Sequence, residues 1–150
     1  MTVTMHQVRA FLDSEEPDYV RAAQLGVDAL PHLQSLIEGS DIILASKAVS
    51  LAGMIESDQS SAVLEVAAQS LFSDVRVAAA ASARYLPQRS SGRILTILSN
   101  DDDAGVRLIA LKSIALLDAQ EFLPRLELLS NTDPNETVRE FARKILTRPP

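Results

Sequence analysis

The sequence predicts an all-α domain, a right-handed α-solenoid (α-α superhelix) of stacked antiparallel helix pairs with about ten helices. Three observations predict it. The first is a recurring helix-start grammar. Residues 73–86 (SDVRVAAAASARYL) open on Ser73-Asp74, pass through Val75-Arg76 into small apolar residues and stop before Pro87. The same order returns at 103–117 and 133–146, and more faintly at 40–55. The second is the period. Arg76 to Arg107 is 31 positions, Arg107 to Arg139 is 32, and 31 back from Arg76 stands Ala45. A helix returning at a period of that size marks a stacked repeat protein, in which each unit buries its apolar face against the next. The third is another register: Leu33, Leu64, Leu95 and Leu126 follow one another at intervals of 31, and three residues beyond them stand Leu36, Ala67, Leu98 and Leu129. Each unit thus reads as an A helix carrying Val-Arg and a B helix carrying the leucines.

Taken in order, residues 1–13 read as an N-terminal capping helix, begun at Thr2 or Thr4, with Val8, Phe11 and Leu12 as its buried stripe. Helix pairs are expected at 17–38, 40–71, 73–99 and 102–130, and a final helix at 133–147, all in one domain. The first A helix is short. Arg21 to Leu33 is 12 positions where Arg76 to Leu95 is 19, and the shortfall is about two helical turns. Pro17 in its first turn and Gly26 at its stop suit those backbone constraints. Ala48, Ala79, Ala110 and Ala142 form a small-residue column in the A helices, which lets neighbours approach to about 8 Å between axes. The extra residue of the last interval is expected in the loop near 131–135. Asp133-Pro134-Asn135-Glu136 supplies a cap, a first-turn proline and an acidic third position. Asp118 and Glu121 have capping-box spacing, and Ser90 reads as the cap of the third B helix.

Composition narrows the function classes. At 47% hydrophobic and 23% charged the chain is globular, yet aromatics are only 4% and Trp is absent, so the core is assembled from many small contacts. A net charge of −6 argues against nucleic acid as a partner, since non-specific binding there rests on Lys and Arg neutralising phosphates. Without cysteine there is no disulfide, thiolate nucleophile or Cys-ligated metal, as suits a reducing compartment. No stretch of 18 consecutive apolar residues and no leader-like apolar run occur, so the expectation is an acidic cytoplasmic protein with no membrane partner. His6 and His32 are the only histidines, too few for a metal site of their own, and no hydrolase, phosphate-loop or dinucleotide motif is present. Started at Asp101, a calcium loop would need Gly and Glu where Val106 and Lys112 stand. The expectation is no enzyme, no metal and no cofactor.

The D-x-x-V-R-x-x-A opening of the A helix, followed by a Leu-rich B helix, resembles the HEAT repeat, and the short period resembles the compact HEAT-like units named after phycobilisome lyases. The resemblance covers roughly residues 17–147 and is strongest at 74–98 and 103–129. It implies a scaffold that binds another protein along a concave face lined by B helices. It also implies a structural ladder, because the family's matching Arg bonds an Asp or backbone carbonyls in a neighbouring interhelical turn. Here the ladder would comprise Arg76, Arg107 and Arg139 with Asp74, Asp103 and Asp133, Asp101 and Asp102 being further candidates.

Two surfaces are candidates for function. Arg89-Ser90-Ser91-Gly92-Arg93 places two cations at a helix start, against the macrodipole, where free N–H groups and two Arg could hold a phosphate or carboxylate. They sit among B-helix columns that stay polar in every copy: Asp28, Gln59, Ser90, Glu121; Gln34, Glu65, Thr96, Glu127; and Glu38, Gln69, Asn100, Asn131. The expected groove is Gln34, Glu65, Arg89, Arg93, Thr96 and Glu127. The alternative to a protein partner is a chromophore-lyase-like or other accessory subunit binding a small anionic ligand there. The second surface is apolar: Val77 and Leu108, backed by Tyr85 and Leu116, are expected to face outward and to support self-association.

Overall fold

A computed structural model gives the fold of residues 2–149. Ten α-helices follow one another: α1 (Met5–Leu12), α2 (Tyr19–Ala22), α3 (Leu30–Ile37), α4 (Ile42–Met54), α5 (Asp58–Ala68), α6 (Ser73–Ser82), α7 (Gln88–Leu98), α8 (Ala104–Ala115), α9 (Leu123–Thr132) and α10 (Glu136–Leu146). Short 3-10 segments at Ala23–Leu25, Val27–Ala29, Ala83–Tyr85 and Ala119–Phe122 join or extend them, and no strand occurs among the described residues. The fold is all-α. The A helices pack in succession, α4 on α6, α6 on α8 and α8 on α10, while α3, α5 and α7 form a parallel succession of B helices.

Periodic burial explains why the pattern folds this way. All four residues of the Leu33, Leu64, Leu95, Leu126 column and all four of the Ala48, Ala79, Ala110, Ala142 column have no solvent exposure. The leucines fill the space between the rows, and the alanines let A helices approach one another closely. Gly53 marks the tightest approach. A Cβ built there would lie 2.9 Å from Ser82 Cβ and 3.1 Å from Ser82 O, so α4 rests directly on α6.

The termini of the helices refine several sequence expectations. Helix α1 begins at Met5, not Thr2, because Thr4 closes a capping box with Gln7: Gln7 N donates to Thr4 Oγ1 at 3.2 Å and Thr4 N to Gln7 Oε1 at 2.8 Å. Helix α2 has only four residues before it tightens to 3-10 form and stops at Gly26, whose φ of +73° is in the left-handed region open to glycine. Pro17 lies ahead of the cap Asp18 rather than in the first turn. Lys47 of α4 fastens this start of the chain by donating to Leu12 O at 3.2 Å and Ser14 O at 2.7 Å.

Caps at the A helices follow one rule with one exception. Asp41, Asp103 and Asn135 each accept from the backbone N–H three residues on, at 3.1 Å. Asn135, not Asp133, therefore caps α10, with Pro134 before the cap. The exception is α6, whose cap position is Phe72, so Ser73 is already helical and no side chain caps the helix. An absent cap of this kind costs about 1 kcal/mol. Helix α7 starts at Gln88 behind Pro87, which places Ser90 inside the first turn and corrects its assignment as the cap. Asp118 caps the 3-10 segment before α9 through Gln120 N at 3.1 Å. The extra residue of the last period is taken up in α9 rather than in a loop: Asp133 N reaches Leu129 O, a full α-turn, where Asp101 N reaches Leu98 O.

Three substitutions test this packing. Leu95→Ala is expected to lose about 2–5 kcal/mol, while Thr96→Ala on the exposed side stays within about 0.5 kcal/mol; equal losses in urea titrations would mean that the helical phase is wrong. Gly53→Ala should destabilise by about 1–3 kcal/mol despite the better helix propensity of Ala, because its Cβ meets Ser82 backbone rather than a flexible tip. A raised melting temperature would show that α4 and α6 can separate at no cost.

Candidate functional site

Arg76 and Arg107 each tie their A helix to the loop at its own start and to the loop after its partner helix, and Arg139 ties α10 to the loop at its start. Arg107 donates from Nε and Nη2 to the two carboxylate oxygens of Asp133 at 2.8 and 2.9 Å, and from Nη1 to the carbonyls of Asp101 and Asp102 at 2.9 and 3.1 Å. Arg76 repeats the arrangement on Asp101, at 2.9 and 3.2 Å, with Nη1 on Ser70 O at 2.8 Å. Arg139 keeps the carbonyl half, donating from Nη1 to Asp133 O at 2.7 Å. The carboxylates are themselves positioned by their loops: Asp101 Oδ1 accepts from Asp103 N and Asp133 Oδ1 from Asn135 N, both at 2.9 Å. Of the expected partners Asp133 and the further candidate Asp101 take this part, whereas Asp74 is exposed and makes no ion pair among the described residues and Asp103 caps α8.

Burial alone would raise the pKa of Asp133. Hydrogen bonds from Arg107 and the Asn135 N–H, together with the charges of Arg107 and Arg139, outweigh it and hold the carboxyl below its usual range. Arg107 is pushed up, first by its hydrogen bond to Asp133. These groups are committed to structure. Arg125, which the sequence did not single out, has a similar role: it donates from Nη2 to Ser99 O at 2.9 Å and Asn100 Oδ1 at 2.6 Å, tying α9 to the end of α7.

The outer face of the B helices is different in kind. Gln34 and Glu65 are half-buried on it, while Arg89, Arg93, Thr96 and Glu127 are exposed. Arg93 is not a free cation, since its Nη2 pairs with Glu65 Oε1 on the neighbouring helix. Ser90 lies inside the first turn of α7 and Arg93 is paired, while Arg89 is exposed and makes no ion pair among the described residues. Thr96 turns its hydroxyl back to Gly92 O at 2.7 Å, and Gln34 donates to Glu38 Oε1 at 3.1 Å. The second expected surface is corrected too. Val77 and Leu108 are half-buried against the core, and only Tyr85 and Leu116 are exposed. Tyr85 is covered by Arg84, 4.7 Å above its ring and donating to its hydroxyl at 2.6 Å.

What the B face does present is an apolar row. Val66 is half-buried, and Ile97 and Leu128 are 54% and 49% exposed, at the same offset in three successive B helices, with Ser35 at that offset in α3. The three residues follow one another at the repeat's spacing of 31. Two adjoining open hollows of about 500 and 420 Å³ lie between α3 and α5 and share Glu38 and Ala62. Among the described residues no three His, Cys, Asp or Glu are grouped to hold a metal, and no helix is long and apolar enough to cross a membrane. His32 donates from Nε2 to Val3 O at 2.8 Å, a contact that docks the N-terminal segment on α3.

Comparison with known proteins finds no family model and no curated protein that matches this sequence.

The rung at Arg107 gives a pH-resolved test. A carboxyl with a depressed folded pKa stabilises above its unfolded value, about 3.9 for Asp, and that contribution is lost as pH falls through the lower folded value. Asp133→Ala should therefore cost about 3–5 kcal/mol at neutral pH by leaving Arg107 buried and unpaired. The gap to the unmodified chain should narrow as pH falls below about 3.9, and urea titrations at neutral and acid pH would reveal a constant gap if the pair does not carry it.

Proposed function

We propose that this chain is a non-enzymatic HEAT-like repeat scaffold, a right-handed α-solenoid whose concave face, lined by α3, α5, α7 and α9, binds another protein. The observation that carries the reading is the row Val66, Ile97 and Leu128, apolar side chains held at one offset on successive B helices and bordered by the polar columns of Gln34, Glu65, Thr96, Glu127 and Glu38, Gln69, Asn100, Asn131. Exposed apolar side chains lined up with polar neighbours are the composition of a protein-binding surface. Stability gains nothing from leaving Ile97 and Leu128 half in water, since burial of such side chains is favourable by about 1.5–3 kcal/mol each. The alternative, an accessory subunit holding a small anionic ligand at Arg89 and Arg93, is weakened by the Arg93–Glu65 pair. Cytoplasmic residence with no nucleic-acid or membrane partner fits the acidic charge and the lack of cysteine.

The test pairs Ile97→Asp with Leu128→Asp. Both sites are exposed, so the melting temperature should change little. Proteins retained from the native host by the unmodified chain should be lost with this double variant and kept with Arg89→Glu/Arg93→Glu. Equal recovery by the unmodified chain and the Ile97/Leu128 variant would reject the face.

A further inference from the structure

Laid side by side, the four loops that lead from a B helix into a full-length A helix show one outlier. At the two positions ending at the A-helix cap they read Ser40-Asp41, Leu71-Phe72, Asp102-Asp103 and Pro134-Asn135. Three have a capping side chain, and only the second is apolar throughout. Its Leu71 is 94% exposed, the most exposed of the large apolar side chains among the described residues, and Phe72 beside it is 39% exposed and leaves α6 without a side-chain cap. A local rule broken with no structural return is where function is expected.

The surroundings give the outlier a use. Leu71 and Phe72 line the larger hollow between α3 and α5 together with Ala62, Val66, Glu38 and Glu65. The adjoining hollow continues past Glu38, and no cation lines either one. Glu65 is met by Arg93, but Glu38 is exposed, accepts only the Gln34 amide and pairs with no cation among the described residues. The charge left unanswered in the hollow is negative.

We propose that the Leu71–Phe72 hollow is a docking site for an extended segment of another protein that sets a large apolar side chain against Leu71, Phe72 and Val66 and a Lys or Arg against Glu38. This rests on the B-face reading above and names the partner's chemistry. Spacing follows from the fold. Packed helices stand about 8–10 Å apart, and an extended chain in the polyproline II form advances about 3.1 Å per residue with about three residues per turn, so apolar residues at about every third position of the partner share one side and can meet Ile97 on the next unit. Carboxylates beside the apolar wall select basic over acidic segments and make association sensitive to salt.

The probe is a fluorescein-labelled twelve-residue peptide of four Leu-Lys-Lys repeats, with four Leu-Glu-Glu repeats as its counterpart, followed by fluorescence anisotropy at physiological ionic strength. The unmodified chain should bind the basic peptide and not the acidic one. Leu71→Asp with Phe72→Asp restores the pattern of Asp102-Asp103, so it should hold or raise the melting temperature while weakening the basic peptide about tenfold or more. That variant is also more acidic, so an attraction resting on charge alone would strengthen. Glu38→Lys, at an exposed position, should weaken the same peptide severalfold without unfolding the chain. Unchanged or tighter binding by the Leu71/Phe72 variant, equal binding of both peptides, or no binding by the unmodified chain would each overturn the site. The wider B-face reading stands or falls separately, on the Ile97/Leu128 variant and the host proteins it retains.

Discussion

The bidentate pair between Arg107 and Asp133 is the constraint on which the rest of the architecture depends. Leucine and alanine columns hold units together, but apolar contact has no direction and would tolerate a slide of one unit along the next. The guanidinium does not. It has one edge on the carbonyls of Asp101 and Asp102 and the other on a carboxylate 26 residues further on, so it fixes where the loop after α9 must lie relative to α8. Arg76 does the same with Asp101. A buried ion pair adds little net stability over an apolar substitute. Its contribution here is register, and register is what lines up equivalent B-helix positions into continuous columns.

That alignment turns single residues into a surface. Ile97 or Leu128 alone would be an unremarked exposed side chain. At one offset in adjacent units, with Val66 preceding them, they make an apolar strip. The same geometry brings Glu65 against Arg93 across 28 residues of sequence, and so cancels a charge that looked available when each helix was considered alone.

The sequence reveals best what repeats, and least what depends on a neighbour. The Leu33–Leu126 and Ala48–Ala142 columns were legible because burial recurs with the period. The arginines and Asp133 were legible for the same reason, but Arg76 takes Asp101 rather than Asp103. Asp101 and Asp103 are equally acidic, and nothing local says that the first looks towards Arg76 while the second caps its own helix. Val77 and Leu108 were assigned outward because one residue of phase is a rotation of about 100°, enough to carry a side chain to the core boundary. Ser90 looked like a cap until Pro87 proved to set the start of α7. Leu71 and Phe72 were passed over because two apolar residues in a loop are ordinary until set beside the acidic and polar pairs of the other loops.

One absence in the ladder bears on how the stack yields under load. Where the second unit would place its rung, Ala45 stands in the arginine column and Ser70 in the aspartate column, so both halves are missing together. Shear at the joint between α4 and the loop after α5 breaks no ion pair, whereas the same displacement at α8 would strip Arg107 from Asp133. Ion-pair rungs hold the loops after α7 and α9, and among the described residues none holds the loop after α5. That loop is the one that carries Leu71 and Phe72, so a segment bound there would pull on a joint that no ion pair clamps.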